Sequence, residues 1–112
     1  MIIEKVIYDH LKKSLNVPVF VQFPKDIPER FVLLDRVGGT EQEHIKTASF
    51  AVQSYGMSIF EAASLNEDVK EAMSKAIELP QISRIDLDSD YNFTDEEMKM
   101  FRYQAIYDLV LF

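Results

Sequence analysis

The C-terminal segment, Arg102 to Phe112, constrains the fold more than any other part of the chain, because its side chains alternate in character. One set of alternate positions is apolar or aromatic: Tyr103, Ala105, Tyr107, Leu109 and Leu111. The intervening set includes Arg102, Gln104 and Asp108. A period of two is typical of a β-strand that buries one face. Since a strand requires neighbours, this segment predicts a sheet that includes the end of the chain.

The rest of the chain supplies those neighbours in a helix–strand–strand–strand–helix–strand–strand order. We predict an α+β fold, in which a mixed or antiparallel sheet of about five strands carries two helices. One domain covers residues 1–112, a length that suits a single core. The predicted segments are a helix over 2–15, strands over 17–23 and 31–37, a loop over 38–43, a strand over 45–56, a helix from Ser58 to Pro80, and a strand over 82–91.

The second helix has the clearest local signals. Ser58 and Glu61 form a capping-box pattern, in which hydroxyl and carboxylate reciprocally satisfy free amide groups. Pro80 lacks an amide hydrogen and is expected to end the helix. The predicted inner stripe consists of Ala62, Leu65, Val69, Ala72, Met73 and Ala76.

The strand over 82–91 is predicted to alternate without interruption. Ile85, Leu87 and Tyr91 would then lie on one face. The opposite, wet face would carry Arg84, Asp86, Asp88 and Asp90.

A pair of glycines begins the polar segment that we predict to be a mobile loop. Glycine loses more backbone freedom on ordering than other residues, so the segment should be loose until it meets a partner. We therefore expect it to be a protein interface. Its residues are Gly38, Gly39, Thr40, Glu41, Gln42 and Glu43.

The formal net charge of −7 argues against two classes of partner. Proteins that bind a phosphate backbone neutralise it with clustered Lys and Arg, and anionic membranes attract similar clusters. Lys12-Lys13 is the only adjacent basic pair. No apolar run approaches ~20 residues, and the N-terminal residues lack the layout of a signal peptide, so we expect no membrane attachment. The absence of cysteine excludes disulfides and thiolate metal sites.

A calcium-loop pattern occurs between residues 86 and 97. Its spacing matches the oxygen-ligand positions of an EF-hand loop. However, Tyr91 occupies the position where the sharp turn requires glycine, and the residues before the pattern predict a strand rather than a helix. We interpret the match as a false positive and expect no metal and no cofactor. The residues concerned are Asp86, Asp88, Asp90, Asn92, Thr94 and Glu97.

No group of residues in the sequence predicts catalysis. The acidic pairs could suggest acid–base chemistry, but no His, Ser or Lys stands in a context that makes it their partner. The number of carboxylates is what an acidic surface supplies in any case. We therefore expect a protein that is not an enzyme.

The order of these features resembles one family over essentially the whole chain. It is similar to the tail terminator, or tail completion, proteins of long-tailed, siphovirus-type bacteriophages and prophages. The similar features are Val17-Pro18-Val19-Phe20 after the first helix, the loop Pro24–Pro28, the strand Phe31–Val37 leading into Gly38-Gly39, the long strand ending at Tyr55, the helix rich in Ala and acidic residues, and Arg102-Tyr103-Gln104 opening the last strand.

The resemblance implies a structural role. Such a protein forms a ring, commonly a hexamer, that caps the tail tube, stops its polymerisation and offers a surface for the head connector. DNA would pass through the ring without specific binding. The protein would belong to the head-proximal end of the virion tail, and to the host cytoplasm during assembly.

Two alternatives of different classes remain. A monomeric acidic protein-binding module of the immunity or inhibitor type would fit the charge, because acidic surfaces attract basic targets. A calcium-binding module is the third hypothesis.

Overall fold

The computed structural model describes residues 2–112, and its elements follow the predicted order. A short 3-10 helix, Ala76–Glu78, extends the second α-helix. The elements are α1 (Ile3–Ser14), β1 (Val19–Phe20), β2 (Phe31–Gln42), β3 (Ile45–Gly56), α2 (Ile59–Lys75), β4 (Ile82–Asn92) and β5 (Phe101–Leu111). The α+β prediction is confirmed.

The five strands form one mixed sheet in the order β1-β2-β3-β5-β4. Only β1 and β2 are parallel, and the other neighbours are antiparallel. The sheet is long, so the molecule measures 45 × 24 × 24 Å. None of the helices within residues 2–112 combines the length and apolar composition that a membrane crossing requires.

Both helices pack on the same face of the sheet, which we call the helix face. Phe50 and Val52 of β3 lie opposite Tyr107 and Ala105 of β5, and all four are buried beneath the helices. The alternation predicted for β5 is therefore confirmed. The predicted stripe of α2 is buried throughout, with Leu65 at the centre.

Ser58 caps α2, although the reciprocal part of the predicted capping box differs. The Ser58 hydroxyl oxygen accepts a hydrogen bond from the Glu61 amide at 3.1 Å. The Glu61 carboxylate does not turn back to the backbone; instead it accepts a hydrogen bond from the Ser58 hydroxyl at 3.4 Å.

The other face of the sheet, which we call the open face, has a small apolar cluster at one end. Phe31 and Tyr55 stack with their ring centroids 4.3 Å apart, and Met100 is buried against them. Its outer members are Phe20 of β1, Leu33 of β2 and Met98, which lies between β4 and β5. Towards the other end of the sheet, the open face carries polar side chains.

The predicted strand over 17–23 is wrong in length, because only Val19 and Phe20 pair with β2. Pro18 and Pro24 bracket this segment and have no amide hydrogen to give to a ladder. Phe23 instead leaves the sheet and packs edge-on against Phe31 at 5.9 Å.

The predicted loop over Gly38–Glu43 is also wrong, because β2 continues to Gln42 and forms a hairpin with β3. Only Glu43 and His44 form the turn, both with positive φ (51° and 69°). A two-residue turn of this handedness follows the right-handed twist of paired strands. The Thr40 hydroxyl lies 2.7 Å from the Thr47 hydroxyl, which adds a side-chain link across the hairpin.

Gly39 is required for close packing rather than for flexibility. A Cβ atom at this position would lie 2.7 Å from the Thr47 carbonyl oxygen and 2.6 Å from the Arg36 guanidinium. That guanidinium lies over Gly39 because it also donates to the Gly38 carbonyl and to Glu4 of α1, at 3.2 and 3.1 Å. At Gly38 the nearest atom would lie 3.8 Å away.

We therefore expect the two glycines to respond differently to alanine. Gly39→Ala should lower the free energy of unfolding by about 1–3 kcal/mol, because backbone atoms must shift to admit the methyl group. Gly38→Ala is the matched control and should change it by less than about 1 kcal/mol. Urea denaturation followed by circular dichroism measures both. Equal effects would contradict the packing role of Gly39.

Candidate functional site

The outer edges of the sheet carry backbone that no other strand in residues 2–112 pairs with. Nothing in residues 2–112 pairs with the outer side of β4 along its whole length. On the opposite side of the sheet, β1 pairs only with Val32 and Leu33, so β2 is free from Leu34 to Gln42. A free edge presents amide and carbonyl groups that can pair with another chain. The sheet thus has two different free edges.

Each free edge carries an exposed apolar side chain near an irregularity in its strand. Val37 is 54% exposed and lies at the register shift of β2, between Arg36 and Gly38. Leu87 is 43% exposed and precedes the second of the two register shifts of β4, which lie between Ile82 and Arg84 and between Leu87 and Ser89. Both side chains could pack against a neighbouring strand or helix.

A hydrogen-bond network crosses the open face from β3 to β4. The Tyr55 hydroxyl donates to Gln53 at 3.0 Å, and the Gln53 amide donates to the Gln104 carbonyl oxygen at 2.8 Å. The Gln104 amide then donates to the Tyr91 hydroxyl at 2.6 Å. Arg102 donates to the Tyr55 hydroxyl at 3.1 Å. The network fixes polar side chains in a sheet face that neither helix covers.

The sequence analysis did not predict this hydrogen-bond network. The alternation of β5 predicts that Arg102 and Gln104 lie on one face, so the sequence contains half of the network. The partners Gln53 and Tyr91 belong to other strands, so only the sheet order brings them together.

The aspartates of β4 do not share one face, so the uninterrupted alternation is wrong. A register shift between Leu87 and Ser89 makes Asp88 an extra residue, after which the side chains exchange faces. Asp86 lies opposite Asp108 on the open face, whereas Asp90 lies opposite Ala105 on the helix face. Tyr91 consequently lies on the open face and not with Ile85 and Leu87.

The two facing carboxylates on the open face each have a separate partner. Asp86 pairs with Arg84 at 2.8 Å, and Asp108 accepts a hydrogen bond from Ser49 at 2.6 Å. These contacts offset the repulsion expected of like charges directly opposite each other.

Asp90 fastens the edge strand to α2. Its carboxylate accepts a hydrogen bond from the Asn66 amide at 3.2 Å and pairs with Lys70 at 3.5 Å. Asn66 is buried and Asp90 is partly shielded, with a side-chain exposure of 29%. The hydrogen bonds to Asp90 and Glu67 raise the pKa of Lys70, with the larger effect from Glu67.

The residues of the calcium-loop pattern do not converge on one point. Asp86 and Asp90 lie on opposite faces, and Asn92 uses its carbonyl oxygen to accept from the Thr94 amide and hydroxyl, at 3.1 and 2.6 Å. Thr94 and Glu97 lie in the segment between β4 and β5. Within residues 2–112, no three His, Cys, Asp or Glu side chains are grouped as a metal site would need.

The expected absence of a calcium site stays a prediction, and it can be measured directly. We expect isothermal titration with calcium to give no stoichiometric binding, because hard-cation sites need several oxygens around one point. An Asp86→Asn variant serves as the control. Tight binding that this variant weakens would show that the residues reorganise around the ion.

Tyr107 lies beneath α2, close enough to Asp90 and Glu67 to be influenced by their charges, and is 4% exposed. Burial raises the pKa of its phenol from 10.0 to about 12, and the charges of Asp90 and Glu67 act in the same direction. The phenol has a higher pKa in the folded state than in the unfolded state, so its ionisation destabilises the fold. The stabilisation by the protonated phenol is therefore complete below pH 10 and is lost as the pH rises to about 12.

We expect the free energy of unfolding to fall between about pH 10 and pH 12, and to fall less in Tyr107→Phe. Denaturant unfolding at a series of pH values measures this slope. The difference between the two proteins should stay constant below about pH 9, where the phenol is protonated in both states. Parallel curves up to pH 12 would contradict the assignment.

Comparison with known proteins assigns the chain to no family. No model of a protein family matches the chain, and no curated protein is similar to it by sequence.

Proposed function

We propose that this protein is a structural subunit of a closed ring, and that the ring is a phage tail terminator. The observation that carries the proposal is the pair of free edges on opposite sides of one sheet. Two different surfaces on one subunit favour head-to-tail contacts, and such contacts close into a ring when the rotation allows it. A two-fold dimer would use only one of them.

The terminator role rests on the resemblance of the sequence pattern to that family. On this proposal the ring, commonly a hexamer, caps the tail tube, stops its polymerisation and presents a surface to the head connector. The hairpin of β2 and β3, which contains Gly38–Glu43, remains the proposed contact with the tube. It suits that role because it forms one end of the long sheet and because its β2 strand is exposed from Asp35 to Gln42.

The charge of the subunit is compatible with DNA passage. A basic channel would hold DNA by releasing its counterions, whereas a neutral or acidic channel would not. A subunit with a formal charge of −7 can line a channel without basic patches. The protein acts without catalysis on this proposal, first in the host cytoplasm and then in the virion tail.

A monomeric acidic binding module of the immunity or inhibitor type is the second candidate. The observation that favours it is the irregularity of both free edges, with register shifts after Arg36 in β2 and after Leu87 in β4. Bulges at sheet edges commonly prevent edge-to-edge pairing.

The head-to-tail contact makes a prediction about two edge variants. Val37→Lys blocks the β2 edge and Leu87→Lys blocks the β4 edge, since each puts a charge where an apolar contact is needed. We expect the unchanged protein to form rings at high concentration, measured by sedimentation velocity and negative-stain electron microscopy. Each variant alone should stay monomeric, and their mixture should form dimers but not rings.

Ile77→Lys is the matched control, because Ile77 is 44% exposed and lies outside the sheet. It should form rings normally. If either edge variant dimerises alone, the contact is two-fold and the ring is excluded. The terminator role is tested separately by microscopy of tails made with and without the protein. Tails of regulated length and normal head joining in its absence would favour the monomeric module.

A further inference from the structure

We propose that α1 of one copy of the chain binds the side of the next copy that α2 and β4 form, through side chains of opposite charge. The inference rests on the proposed ring and names a part of its subunit contact that lies outside the strand edges. Its basis is the uneven distribution of charge. The chain has a formal charge of −7, yet α1 has three lysines and two carboxylates, a net charge of +1.

The first helix lies beside the free part of β2. Glu4 accepts a hydrogen bond from the Arg36 guanidinium of β2 at 3.1 Å. On the side of α1 that faces α2, His10 donates from Nε2 to a backbone carbonyl oxygen of α2 at 2.7 Å. Tyr8 and Lys12 are each two positions from His10 in sequence, so they lie on the far side of α1, away from α2.

The far side of α1 carries an aromatic ring between two cations. The ammonium nitrogens of Lys5 and Lys12 lie 5.3 and 5.5 Å from the centroid of the Tyr8 ring. Lys5 pairs with Asp9 at 2.8 Å, whereas Lys12 is exposed and has no ion pair within residues 2–112. This group, which we call the α1 patch, therefore has a cation that can pair with a neighbouring molecule.

The opposite side of the molecule has an excess of carboxylates. Lys70 of α2 pairs with both Glu67 and Asp90, at 3.1 and 3.5 Å, so one cation balances two carboxylates. Asp88 is exposed at the register shift of β4, and its carboxylate has no ion pair in the part of the chain that the structure describes. We call Glu67 and Asp88 the acidic margin. The strand β4 and the helix α2 each have a net charge of −2.

A head-to-tail ring brings the α1 patch of one copy to the acidic margin of the next. Rotation about one axis relates the copies, so the helix faces of all the sheets point the same way, inward or outward. When the free edge of β2 approaches the free edge of β4 in the next copy, α1 approaches the side formed by α2 and β4. Opposite charges then meet.

The same charges disfavour a two-fold dimer through either edge. Two β4 edges would bring one acidic margin against another, and two β2 edges would bring one α1 patch against another. Like charges that face each other across an interface suppress that pairing. The charge pattern therefore selects the direction of the contact, which the irregular strand edges do not do by themselves.

Two charge-reversal variants test the contact. The first carries Lys5→Glu and Lys12→Glu, and the second carries Glu67→Lys and Asp88→Lys. Each variant should repel its own copies. In an equal mixture, every contact of an alternating ring joins opposite charges, because the reversed patch of the first variant meets the reversed margin of the second. The unchanged patch of the second variant likewise meets the unchanged margin of the first.

We expect each variant alone to need a concentration at least about tenfold higher for assembly than the unchanged protein. The equal mixture should assemble as readily as the unchanged protein. Sedimentation velocity measures assembly, and native mass spectrometry should find equal numbers of the two variants in each ring. Sodium chloride should weaken assembly of the unchanged protein, because salt screens exposed charges.

Matched controls change the net charge by the same amount at other sites. Lys75→Glu with Lys99→Glu controls for the first variant, and Lys75 pairs with Glu71 at i,i+4 spacing as Lys5 pairs with Asp9. Glu29→Lys with Glu97→Lys controls for the second variant. Both controls should assemble normally, and circular dichroism should give the same folded spectrum for all the proteins.

The outcomes separate this contact from the ring itself. If either reversal variant assembles normally alone, if the mixture does not assemble, or if a control fails equally, the charged contact is wrong. The ring would still be supported if Val37→Lys and Leu87→Lys each prevented assembly. If the unchanged protein forms no assembly at any concentration, both proposals are wrong. A reversal variant that dimerises alone would indicate a two-fold contact instead.

Discussion

The pairing of β3 with β5 at the centre of the sheet is the interaction on which the rest of the structure depends. Eleven residue pairs connect the strands, from Lys46 opposite Leu111 to Gly56 opposite Phe101. This register puts Phe50 and Tyr107 beneath the helices and puts Gln53 and Gln104 on the open face. A slip of one residue would exchange these faces and bury the polar network under α2.

The register shift of β4 between Leu87 and Ser89 lets this edge strand contribute side chains to both faces of the sheet. Without the extra residue at Asp88, Asp90 would continue the wet face of the strand. The register shift turns Asp90 towards Asn66 and Lys70, and so connects the edge of the sheet to α2. It also turns Tyr91 to the open face, where it accepts from Gln104. One inserted residue therefore supports a helix contact and the polar network together.

The same architecture leaves three surfaces exposed. The two free edges lie on opposite sides of the sheet, and a groove lined by Ile27, Met57 and Met98 lies at one end. The groove lining includes one carboxylate, Glu29, and one cation, Lys99. These surfaces lie in different regions of the molecule.

The sequence alone determined the type and order of the elements, because periodicity and capping are local properties. Five alternating apolar positions in β5 specified a half-buried strand, and Ser58 with the stripe around Leu65 specified α2. The calcium-loop pattern could be doubted at this level, since Tyr91 occupies a position that requires glycine.

Only the tertiary structure decided how polar segments are used, because their partners are distant in sequence. Gly38-Gly39 reads locally as a flexible loop, yet the Arg36 guanidinium, held by Glu4, and the Thr47 carbonyl make Gly39 a tightly packed strand residue. The register shift of β4 depends on its pairing with β5. The groove lined by Ile27, Met57 and Met98 forms only where segments far apart in the chain meet over Phe31 and Tyr55, and no local period of the sequence encodes such a meeting.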